Sequence, residues 1–444
     1  MNRAARSSGM RSPRVLRLLG EFESPNVTHI EPDGSWPIVW ERARDCEVWD
    51  AEGRRYLDLT AAFGVAAAGH ANPAVVRAAQ GQLARLPHAM GDVHPHPLKA
   101  ELARELSRVT FERWTARHAP RLTGKVIFTN SGFEAVEAAL KTALLATRRP
   151  GVVAFTGAYH GLGYGALTAT HREHFREPFR RQLARFTSFV EFPTRDDDLP
   201  GMASAISETL RTGKFGAVLV EPMQARGGIR IPPAGFLAAL RELCDRHRAL
   251  LVVDEIYTGF GRTGRWFACE HAGVVPDLIC LGKALTGGFP LSACVGRAEL
   301  MDRAWPKSSG EAIHTSTFLG NPVGCAMALA QMAEIRRRRL VQRSQREGHW
   351  LLRQLQAMRV PGLELRARGA GLMAGLEVRR PDGEPATGVV LRVVKRMLAE
   401  GFILLPEGAE AEVIGFTPPL TITRPQLAGV VKALEKVLRE PEGT

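Results

Sequence analysis

The sequence has few cysteines, few lysines and no long apolar run. Its six cysteines form no CxxC pair and no cluster with histidine, so we predict no metal site. We interpret the cysteines as buried free thiols, which predicts a reducing, cytoplasmic compartment. No apolar stretch approaches the roughly 20 residues that are needed to span a bilayer. We therefore predict no membrane partner.

The basic residues are almost all arginine: nine of the 59 are lysine, and the other 50 are arginines spread over the whole chain. The net charge of +13 raises the hypothesis of a nucleic-acid partner. Dispersed arginine fits a compositional bias better than a binding stripe, and the one dense run, Arg336 to Arg339, falls in a helical pattern as an exposed face or helix end. We predict no nucleic-acid partner. An anionic substrate explains the positive charge better.

At 444 residues the chain is too long for one ordinary hydrophobic core, so two domains are expected. The first 20 residues carry five arginines and no acidic residue. This composition is typical of a transit peptide but lacks a clear cleavage signal, so a disordered basic tail is preferred and a targeting role stays open. The predicted segments are a tail at 1–20, the N-terminal part of a small domain at 21–60, a large domain at 61–325 and the C-terminal part of the small domain at 326–444.

Strands and helices alternate in the middle of the chain. Apolar runs such as KVIFT, VVAFT, AVLVE, LLVVDE and DLICLGK are each followed by a turn, and several of these turns lead into a helical pattern. Such alternation predicts a mostly parallel sheet with helices on its faces. After about residue 325, a long helical run precedes the strands GLELRARG and GLMAGLEV, which predicts a smaller α+β domain. A hairpin predicted at 36–60 is expected to join that domain.

Asp254 and Lys283 stand at the ends of two predicted strands, and open α/β sheets collect ligands at the carboxyl ends of their strands. A buried carboxylate needs a positive partner, and an aspartate is the expected group opposite the pyridine nitrogen of pyridoxal phosphate. A lysine in such a place is costly unless it is neutral or covalently used. The pair therefore predicts a carbonyl cofactor held by a Schiff base. A helix cap or a structural ion pair is the alternative for Asp254.

Three turns beside these strands suit a phosphate or a flat ring. The segment 130–134 (NSGFE) begins a predicted helix whose first turn offers free N–H groups to a phosphate, although Ser131 could simply cap that helix. Tyr159 could stack on a flat cofactor or fill the core. The hydroxyl-rich turn 314–322 (HTSTFLGNP) suits phosphate oxygens, but hydroxyls are common in turns. Each signal is modest alone, and their order and spacing together carry the prediction.

Seven ordered motifs give the chain a family resemblance: NSGFEAVEAALK, AYHG, EPMQ, VVDEIYTGFGRTG, LGKALTGGFPLSA, HTSTFLGNPVGCA and PPLTIT. Over roughly residues 36–440 it resembles the class III pyridoxal-phosphate-dependent aminotransferases, such as the 4-aminobutyrate and acetylornithine aminotransferases. That resemblance implies an α/β fold of type I, as in the aspartate aminotransferase superfamily. The large domain would bind pyridoxal 5'-phosphate on a mostly parallel seven-stranded sheet, beside a small α+β domain.

The resemblance also implies a role for each matching residue. Lys283 would form the Schiff base with the cofactor and then act as acid and base in proton transfer, and Asp254 would keep the pyridine nitrogen protonated. The other implied cofactor-binding residues are Ser131, Gly132 and Phe133 at the phosphate, Tyr159 and Ile256 on the two ring faces, Tyr257 near the 3-oxygen, His160 and Glu221 around them, and Thr317, which would reach the cofactor phosphate of a neighbouring subunit. A homodimer with sites at the subunit interface is implied in the same way.

Three positions depart from the family pattern near the substrate. Phe133 stands where a small or hydroxylated residue is usual, and Tyr257 stands where glutamine is frequent. In the ornithine and acetylornithine branch an arginine follows the HG of the aromatic motif, and this chain has Leu162 there. The leucine argues against the substrates of that branch.

A fourth departure concerns a pair of positions. That branch and its ω-amino acid relatives often carry a glutamate in EPxQGEGG and an arginine in xxRxxPPL, which form a gated ion pair. This chain has Arg226 in the first place and Gly415 in the second. Since a lone buried charge is costly, the joint change suggests that Arg226 now binds a substrate carboxylate as a bidentate fork. The alternative is that Arg226 points to solvent or pairs with a local acid.

The predicted function is transfer of an amino group from an amine or ω-amino acid, such as 4-aminobutyrate, to a keto acid such as 2-oxoglutarate or pyruvate. An aminomutase, racemase or decarboxylase of the same family could use the same Lys283 and Asp254, although Gln224 argues against the glutamate-semialdehyde aminomutase branch. A non-catalytic pyridoxal-phosphate-binding regulator is a further alternative, and the short N-terminal tail leaves little room for the DNA-binding domain that such a protein would need.

Overall fold

The structure is a computed structural model that describes residues 12–117 and 119–440. The strands of these residues form three sheets. The strands are β1 (Trp40–Arg44), β2 (Glu47–Asp50), β3 (Arg55–Asp58), β4 (Gly124–Thr129), β5 (Gly151–Phe155), β6 (Thr187–Val190), β7 (Phe215–Val220), β8 (Leu250–Asp254), β9 (Leu278–Leu281), β10 (Ser292–Arg297), β11 (Glu364–Ala370), β12 (Met373–Arg379), β13 (Phe402–Ile403), β14 (Leu405–Glu407) and β15 (Val413–Phe416).

Helices cover the sheets and connect their strands. They are α1 (Ser12–Phe22), α2 (Ala61–Gly64), α3 (Pro73–Arg85), α4 (Pro97–Val109), α5 (Phe111–Trp114), α6 (Gly132–Thr147), α7 (Tyr164–Ala169), α8 (Glu173–Arg176), α9 (Leu199–Arg211), α10 (Phe236–His247), α11 (Ala298–Ala304), α12 (Pro322–Arg337), α13 (Leu340–Ala357), α14 (Thr387–Ala399) and α15 (Arg424–Leu438). Short 3-10 turns lie at Glu177–Phe179, Asp196–Asp198, Ala268–His271 and Lys283–Leu285.

The predicted seven-stranded, mostly parallel sheet is confirmed. Its strand order is β4-β10-β9-β8-β7-β5-β6, and only β10 runs against its neighbours. Alternate residues of β8 contribute to two cores. Leu250 and Val252 belong to the core beneath α6, whereas Leu251 and Val253 belong to the core on the opposite face, which includes α10. Burial on both faces explains why these strands are continuous apolar runs in the sequence.

The carboxyl ends of the parallel strands meet at one edge of this sheet. The chain continues from β4 into Ser131 and Gly132, from β5 towards Tyr159, and from β7 into Glu221. Asp254 ends β8, and Lys283 follows β9 after one residue. Residues far apart in sequence therefore come together at this edge, as the strand pattern predicts.

The N-terminal and C-terminal segments of the chain share a sheet. β1, β2 and β3 form an antiparallel meander, and β13 pairs in parallel with β3 through Phe402 opposite Leu57. A second four-stranded sheet has the order β11-β12-β15-β14. These pairings are the contacts expected of a small domain built from both ends of the chain. The exact domain boundaries stay a prediction.

Several elements differ from the sequence-based expectations. The helical run after residue 322 is two helices, because the chain breaks at Arg339, whose φ is 50°. Strand β6 and the short strands β13 to β15 were not predicted, since each has only two to four residues. In the predicted tail, residues 1–11 lie outside the described residues. Ser12 begins α1, and its N–H and hydroxyl donate to the Glu52 carboxylate at 2.8 and 2.6 Å.

Helix α13 closely approaches the turn between β11 and β12, which in turn touches the loop after β8. A Cβ on Gly348 would lie 1.8 Å from the carbonyl oxygen of Gly371, the turn residue between β11 and β12. Gly371 has a φ of 55°, and a Cβ there would lie 2.4 Å from the carbonyl carbon of Thr263, in the loop after β8. Three backbones therefore touch, and only glycine fits at either position.

We expect Gly348→Ala to lower the free energy of unfolding by about 2 kcal/mol, because overpacking outweighs the roughly 1 kcal/mol by which a helix favours alanine over glycine. Gly429→Ala is the matched control, since Gly429 lies in α15 and a Cβ there would meet no neighbouring residue within 4 Å. Alanine there should be neutral or slightly stabilising. Thermal unfolding of both variants measures the difference, and an unchanged midpoint for Gly348→Ala would contradict the close contact.

Candidate active site

Asp254 is a deeply buried charge at the edge where the strands end. It is 4% exposed, and its Oδ2 lies 2.8 Å from Nδ1 of His160, which comes from the turn after β5. Its Oδ1 accepts a hydrogen bond from the backbone N–H of Ile256 at 3.1 Å. The carboxylate thus has the partners that a buried charge requires. His160 is fixed in turn, because its backbone N–H donates to Thr170 Oγ1 at 3.0 Å.

Lys283 brings an amine into the same region from the neighbouring strand. Burial lowers the pKa of this amine, and the nearby carboxylates of Asp254, Glu221 and Glu407 oppose that shift. Its Nζ lies 4.3 Å from the centre of the Tyr257 ring. The backbone of Lys283 has a φ of 42°, which is unusual for a residue with a side chain and is found where a site imposes a conformation.

These groups share a cavity of about 400 Å³ at the carboxyl edge of the sheet. Its volume falls in the range of small-molecule sites, about 300 to 1,000 Å³. The residues that line it are Gly132, Phe133, Tyr159, His160, Gly161, Leu162, Glu221, Ala225, Arg226, Asp254, Ile256, Tyr257 and Lys283. Nearly all the residues predicted for the site are therefore brought together, while their individual roles stay predictions.

The start of helix α6 has the features of a phosphate site. Gly132 is its first residue, and a Cβ there would lie 3.1 Å from two side-chain carbons of Ile256. The Glu134 carboxylate accepts hydrogen bonds from the N–H groups of Asn130 (2.6 Å) and Ser131 (3.1 Å). The Ser131 hydroxyl is buried and has no hydrogen-bond partner among the described residues. A free hydroxyl and free N–H groups at a helix start suit a phosphate ester.

A second unpartnered atom lies deeper in the site. The Nε2 of His160 is buried and has no partner among the described residues. Tyr159, the preceding residue, lines the cavity, and its ring packs edge-on against Phe175 with centroids 5.6 Å apart. Ile256 lines the cavity as well. The site therefore combines an aromatic ring, an aliphatic side chain, a buried carboxylate and an amine. These groups fit a flat, phosphorylated pyridine aldehyde.

Phe133 fills the space beside two glycines of the loop after β5. A Cβ on Gly161 would lie 2.4 Å from the Phe133 Cβ, and a Cβ on Gly163 would lie 2.4 Å from its ring. Both glycines therefore accommodate the phenyl ring. Leu162, between them, is 47% exposed at the cavity mouth.

Glu221 fastens two loops of the cavity wall. Its carboxylate accepts the backbone N–H groups of Tyr159 at 3.0 Å and Ala225 at 3.1 Å. Burial raises the pKa of Glu221 to about 7, against the opposing influence of the nearby His160. Partial protonation of this group near neutral pH limits the negative charge that accumulates beside Asp254.

Tyr257 is anchored from a region that the sequence did not connect with the site. Its hydroxyl lies 3.1 Å from Oγ1 of Thr417, which in turn donates to the carbonyl oxygen of Thr60 at 3.2 Å. Burial raises the pKa of Tyr257 to about 12. Thr417 immediately precedes the motif PPLTIT, and nothing in its sequence context indicates this contact.

Arg226 both lines the cavity and pairs with a local acid. Its Nη1 lies 3.2 Å from Oε2 of Glu407, the last residue of β14. The Arg226 side chain is 28% exposed, whereas that of Glu407 is 5% exposed. Sequence reasoning missed Glu407, because β14 was not predicted. The nearest available signal was Gly415, whose missing side chain leaves space for it.

Thr317 is the predicted site residue that does not join the others. It is exposed, and it does not line the cavity of its own chain. The turn that carries it is held near the phosphate end, because Asn130 Nδ2 donates to Ser316 Oγ at 3.2 Å. Among the described residues, no group of three or more His, Cys, Asp or Glu is arranged to hold a metal. None of the described helices combines the length and apolarity of a membrane span.

Comparison with known proteins gives consistent relatives. The chain matches the class-III aminotransferase family over residues 30–438. It is 36% identical over 403 residues to an acetylornithine aminotransferase of Methanosarcina mazei, covering 91% of this chain and 92% of that protein. It is 36% identical over 442 residues to a putrescine aminotransferase of Pectobacterium atrosepticum, covering 97% of this chain and 89% of that protein. An amine transaminase structure from an uncultivated Pseudomonas species, in its PLP-bound form, superimposes with a TM-score of 0.81 at 28% identity, covering 94% and 98%.

Proposed function

The chain belongs to the class-III aminotransferase family, and from this premise we propose that its amino donor is a terminal amine or an ω-amino acid. It is a pyridoxal-phosphate-dependent enzyme that transfers amino groups to keto acids. The acceptor proposed is a keto acid such as 2-oxoglutarate or pyruvate. The observation that supports the chemistry best is that Lys283 and the Asp254–His160 pair face one cavity. A relative that acts on putrescine supports a donor with a terminal amine.

Pyridoxal phosphate, when bound, supplies an aldehyde that takes up the amino group and a ring that withdraws electrons from the substrate carbon. Gly132 and the free hydroxyl of Ser131 are proposed to hold the phosphate at the start of α6. Tyr159 and Ile256 are proposed to confine the ring between them. Asp254, itself held by His160, is proposed to keep the ring nitrogen protonated.

Lys283 is proposed to hold the aldehyde and then to move the proton at the substrate carbon. Because burial lowers the pKa of the Lys283 amine, the neutral, nucleophilic form is favoured at a given pH. The Tyr257 ring beside Nζ limits the positions that the amine can take.

Replacing Lys283 with alanine tests this function directly. We expect Lys283→Ala to lose the visible absorbance of the cofactor–lysine adduct and to lower kcat for amino transfer by at least about 10³-fold, since a covalent and an acid–base role disappear together. Lys436→Ala is the control, since that lysine lies on the surface in α15 and pairs with Glu400. Unaltered amino transfer by Lys283→Ala would rule out the assignment.

A panel of amines and keto acids separates amino transfer from the alternatives. An aminotransferase yields one new keto or aldehyde product and one new amino acid in equal amounts. An aminomutase, racemase or decarboxylase would instead convert one substrate without needing a keto acid acceptor. Product formation by the wild-type protein in the absence of any keto acid would favour those activities.

We further propose that Arg226 binds a carboxylate of the keto acid or amino acid. Its guanidinium lines the cavity, and arginine binds carboxylates with two parallel hydrogen bonds. The contact with Glu407 places a competing carboxylate on the same group. The proposal therefore requires that a substrate carboxylate competes with Glu407 for Arg226.

Arg226→Gln should raise KM for 2-oxoglutarate by about 10- to 100-fold, the loss expected for a charge-assisted hydrogen bond of about 1.5–3 kcal/mol, and leave KM for a simple monoamine nearly unchanged. Arg180→Gln is the control, because Arg180 pairs with Glu173 and Glu177 on the surface. Steady-state kinetics with each substrate gives both constants. Equal effects on the monoamine and the keto acid would point to a general structural role.

We propose that the protein is a homodimer with Thr317 near the site of the partner subunit. The loop at 87–94 packs on the turn at 315–321, because Asn321 Nδ2 donates to the Pro87 carbonyl oxygen at 3.2 Å and Thr315 Oγ1 to Asp92 at 2.6 Å. Large apolar side chains on or next to these two loops are exposed, and they are Met90, Val93, Ile313 and Phe318. These four side chains, called the apolar patch from here on, favour an interface at this surface.

Phe318→Asp should shift the protein from dimer to monomer, because it places a charge on that apolar patch. Leu391→Asp is the matched control, since Leu391 is an exposed apolar residue on α14. Light scattering after size-exclusion chromatography measures the mass of each. A dimeric Phe318→Asp protein, or a monomeric wild type, would contradict the proposed interface.

We also propose a cytoplasmic location. All six cysteines are free and buried, which suits a reducing compartment. Dispersed arginine provides no binding stripe, so the prediction that nucleic acid is not a partner is kept.

A further inference from the structure

Arg172 is a partly exposed arginine that two aromatic rings connect to the cavity wall. It immediately precedes α8 and is not among the residues that line the cavity. Its guanidinium carbon lies 5.4 Å from the centre of the Phe175 ring. That ring packs edge-on against Tyr159, which lines the cavity, with centroids 5.6 Å apart. The guanidinium therefore lies outside the cavity but close to its wall.

A second connection runs through the turn after β14. Nη2 of Arg172 donates to the carbonyl oxygen of Ala409 at 3.3 Å. The preceding residue, Gly408, donates its N–H to the carbonyl oxygen of Arg226 at 3.2 Å. Consecutive residues are about 3.8 Å apart, so this turn brings the Arg172 side chain near the backbone of Arg226. Because Arg226 lines the cavity, Arg172 lies just beyond the wall that Arg226 forms.

Arg172 has no carboxylate in direct contact. Its neighbour Arg176 pairs with Glu173, whereas Arg172 forms no ion pair with any described residue. The Glu412 carboxylate, in the turn after β14, accepts the N–H of Glu410 at 2.9 Å instead. Nε and Nη1 of Arg172 have no hydrogen-bond partner among the described residues. These donors and the positive charge remain available to a ligand.

Arg172 and Arg226 act on the same carboxylate. Glu407 pairs with Arg226 at 3.2 Å, and the positive charge of Arg172 attracts that carboxylate from farther away. Burial raises the pKa of Glu407 to about 7, so this group is only partly ionised at neutral pH. Arginine stays charged at that pH. Glu407 therefore balances less than one of the two positive charges, and the excess favours an anion.

We propose that Arg172 is a specificity-determining residue that binds an anionic group at the end of the substrate remote from the reacting atom. This inference rests on the proposed function, since it takes the cavity beside Lys283 as the place of reaction. Only the far end of an extended substrate reaches Arg172, because this arginine lies outside the cavity. The substrate class that it selects is a chain with a carboxylate at each end. A dicarboxylic keto acid such as 2-oxoglutarate fits this class, whereas pyruvate does not.

The proposal predicts a preference for diacids over monoacids of equal length. A monoacid offers one carboxylate, whereas a diacid can place its second carboxylate at Arg172. The contact is charge-assisted, and its strength is reduced by the partial exposure of the guanidinium. The expected preference is therefore about tenfold, at the lower end of the range for hydrogen bonds to charged groups.

Calorimetric titration with unreactive acids tests the proposal without turnover. Adipate, pimelate and suberate are each compared with the straight-chain monoacid of the same length on the cofactor-loaded protein. Arg172→Gln removes the charge but keeps a donor for the Ala409 carbonyl oxygen, and Arg172→Lys keeps the charge. Arg180→Gln is the matched control, because it removes a charge from the same segment, where Arg180 pairs with Glu173. Circular dichroism confirms that each variant is folded.

Wild type and Arg180→Gln are expected to bind at least one diacid about tenfold more tightly than its monoacid. Arg172→Gln should lose that preference and bind the monoacid nearly as wild type does, and Arg172→Lys should recover part of it. The same preference in Arg172→Gln and wild type would overturn the assignment. Equal losses for diacid and monoacid would also overturn it, because they would show that Arg172 only holds the turn at Ala409. Absence of any preference in wild type would do so even if the variants failed to fold.

Kinetics separates this inference from the function on which it rests. In amino transfer, Arg172→Gln should raise KM for 2-oxoglutarate and leave KM for pyruvate nearly unchanged. If Lys283→Ala abolishes amino transfer but the diacid preference does not depend on Arg172, only the role of Arg172 is wrong. If Arg172 determines the preference while Lys283→Ala retains full activity, the arginine binds diacids but selects no substrate at this site. The proposed function is then wrong.

Discussion

The hydrogen bond between Asp254 and His160 constrains the rest of the site, because a buried carboxylate persists only where its partners are fixed. Removing one partner of a buried pair typically costs about 3–5 kcal/mol. Burial also changes the protonation of the surrounding groups. Burial raises the pKa of Glu221 to about 7 and lowers that of Lys283, so both move towards their neutral forms. The cavity therefore concentrates reactive groups without concentrating net charge.

The strand ends explain why so much of this site could be predicted from the sequence. A buried parallel strand is a continuous apolar run, and the residue after it must lie at the carboxyl edge of the sheet. Asp254 and Lys283 follow such runs, so their proximity could be inferred from the apolar pattern alone. The family motifs then supplied the cofactor and its neighbours. The confirmed parts are the family, the fold and the class of reaction, whereas the individual roles of the residues stay predictions.

The parts that could not be predicted depend on short strands and on contacts between distant segments. β14 has three residues, and its pairing with β15 follows from packing that no local pattern records. Glu407 therefore stood in an unassigned loop, and the hydrogen bond of Thr417 to Tyr257 joins residues 160 positions apart. The helical run after residue 322 divides at Arg339 because one residue adopts a left-handed backbone conformation. Apolar spacing continues across that break, so periodicity alone suggests one helix.

The two alternatives for Arg226, a substrate ligand or a partner of a local acid, are compatible once Glu407 is in view. Single positions in the sequence suggest a lost ion pair, because an arginine replaces a glutamate and a glycine replaces an arginine. In three dimensions the opposite charge has moved to the adjacent strand, into space that Gly415 leaves free. The pair is retained with its polarity reversed: the arginine now belongs to the exposed loop and the carboxylate to the buried strand. Because a buried carboxylate can be neutralised by a proton whereas arginine stays charged, Glu407 is the member of the pair whose charge can change.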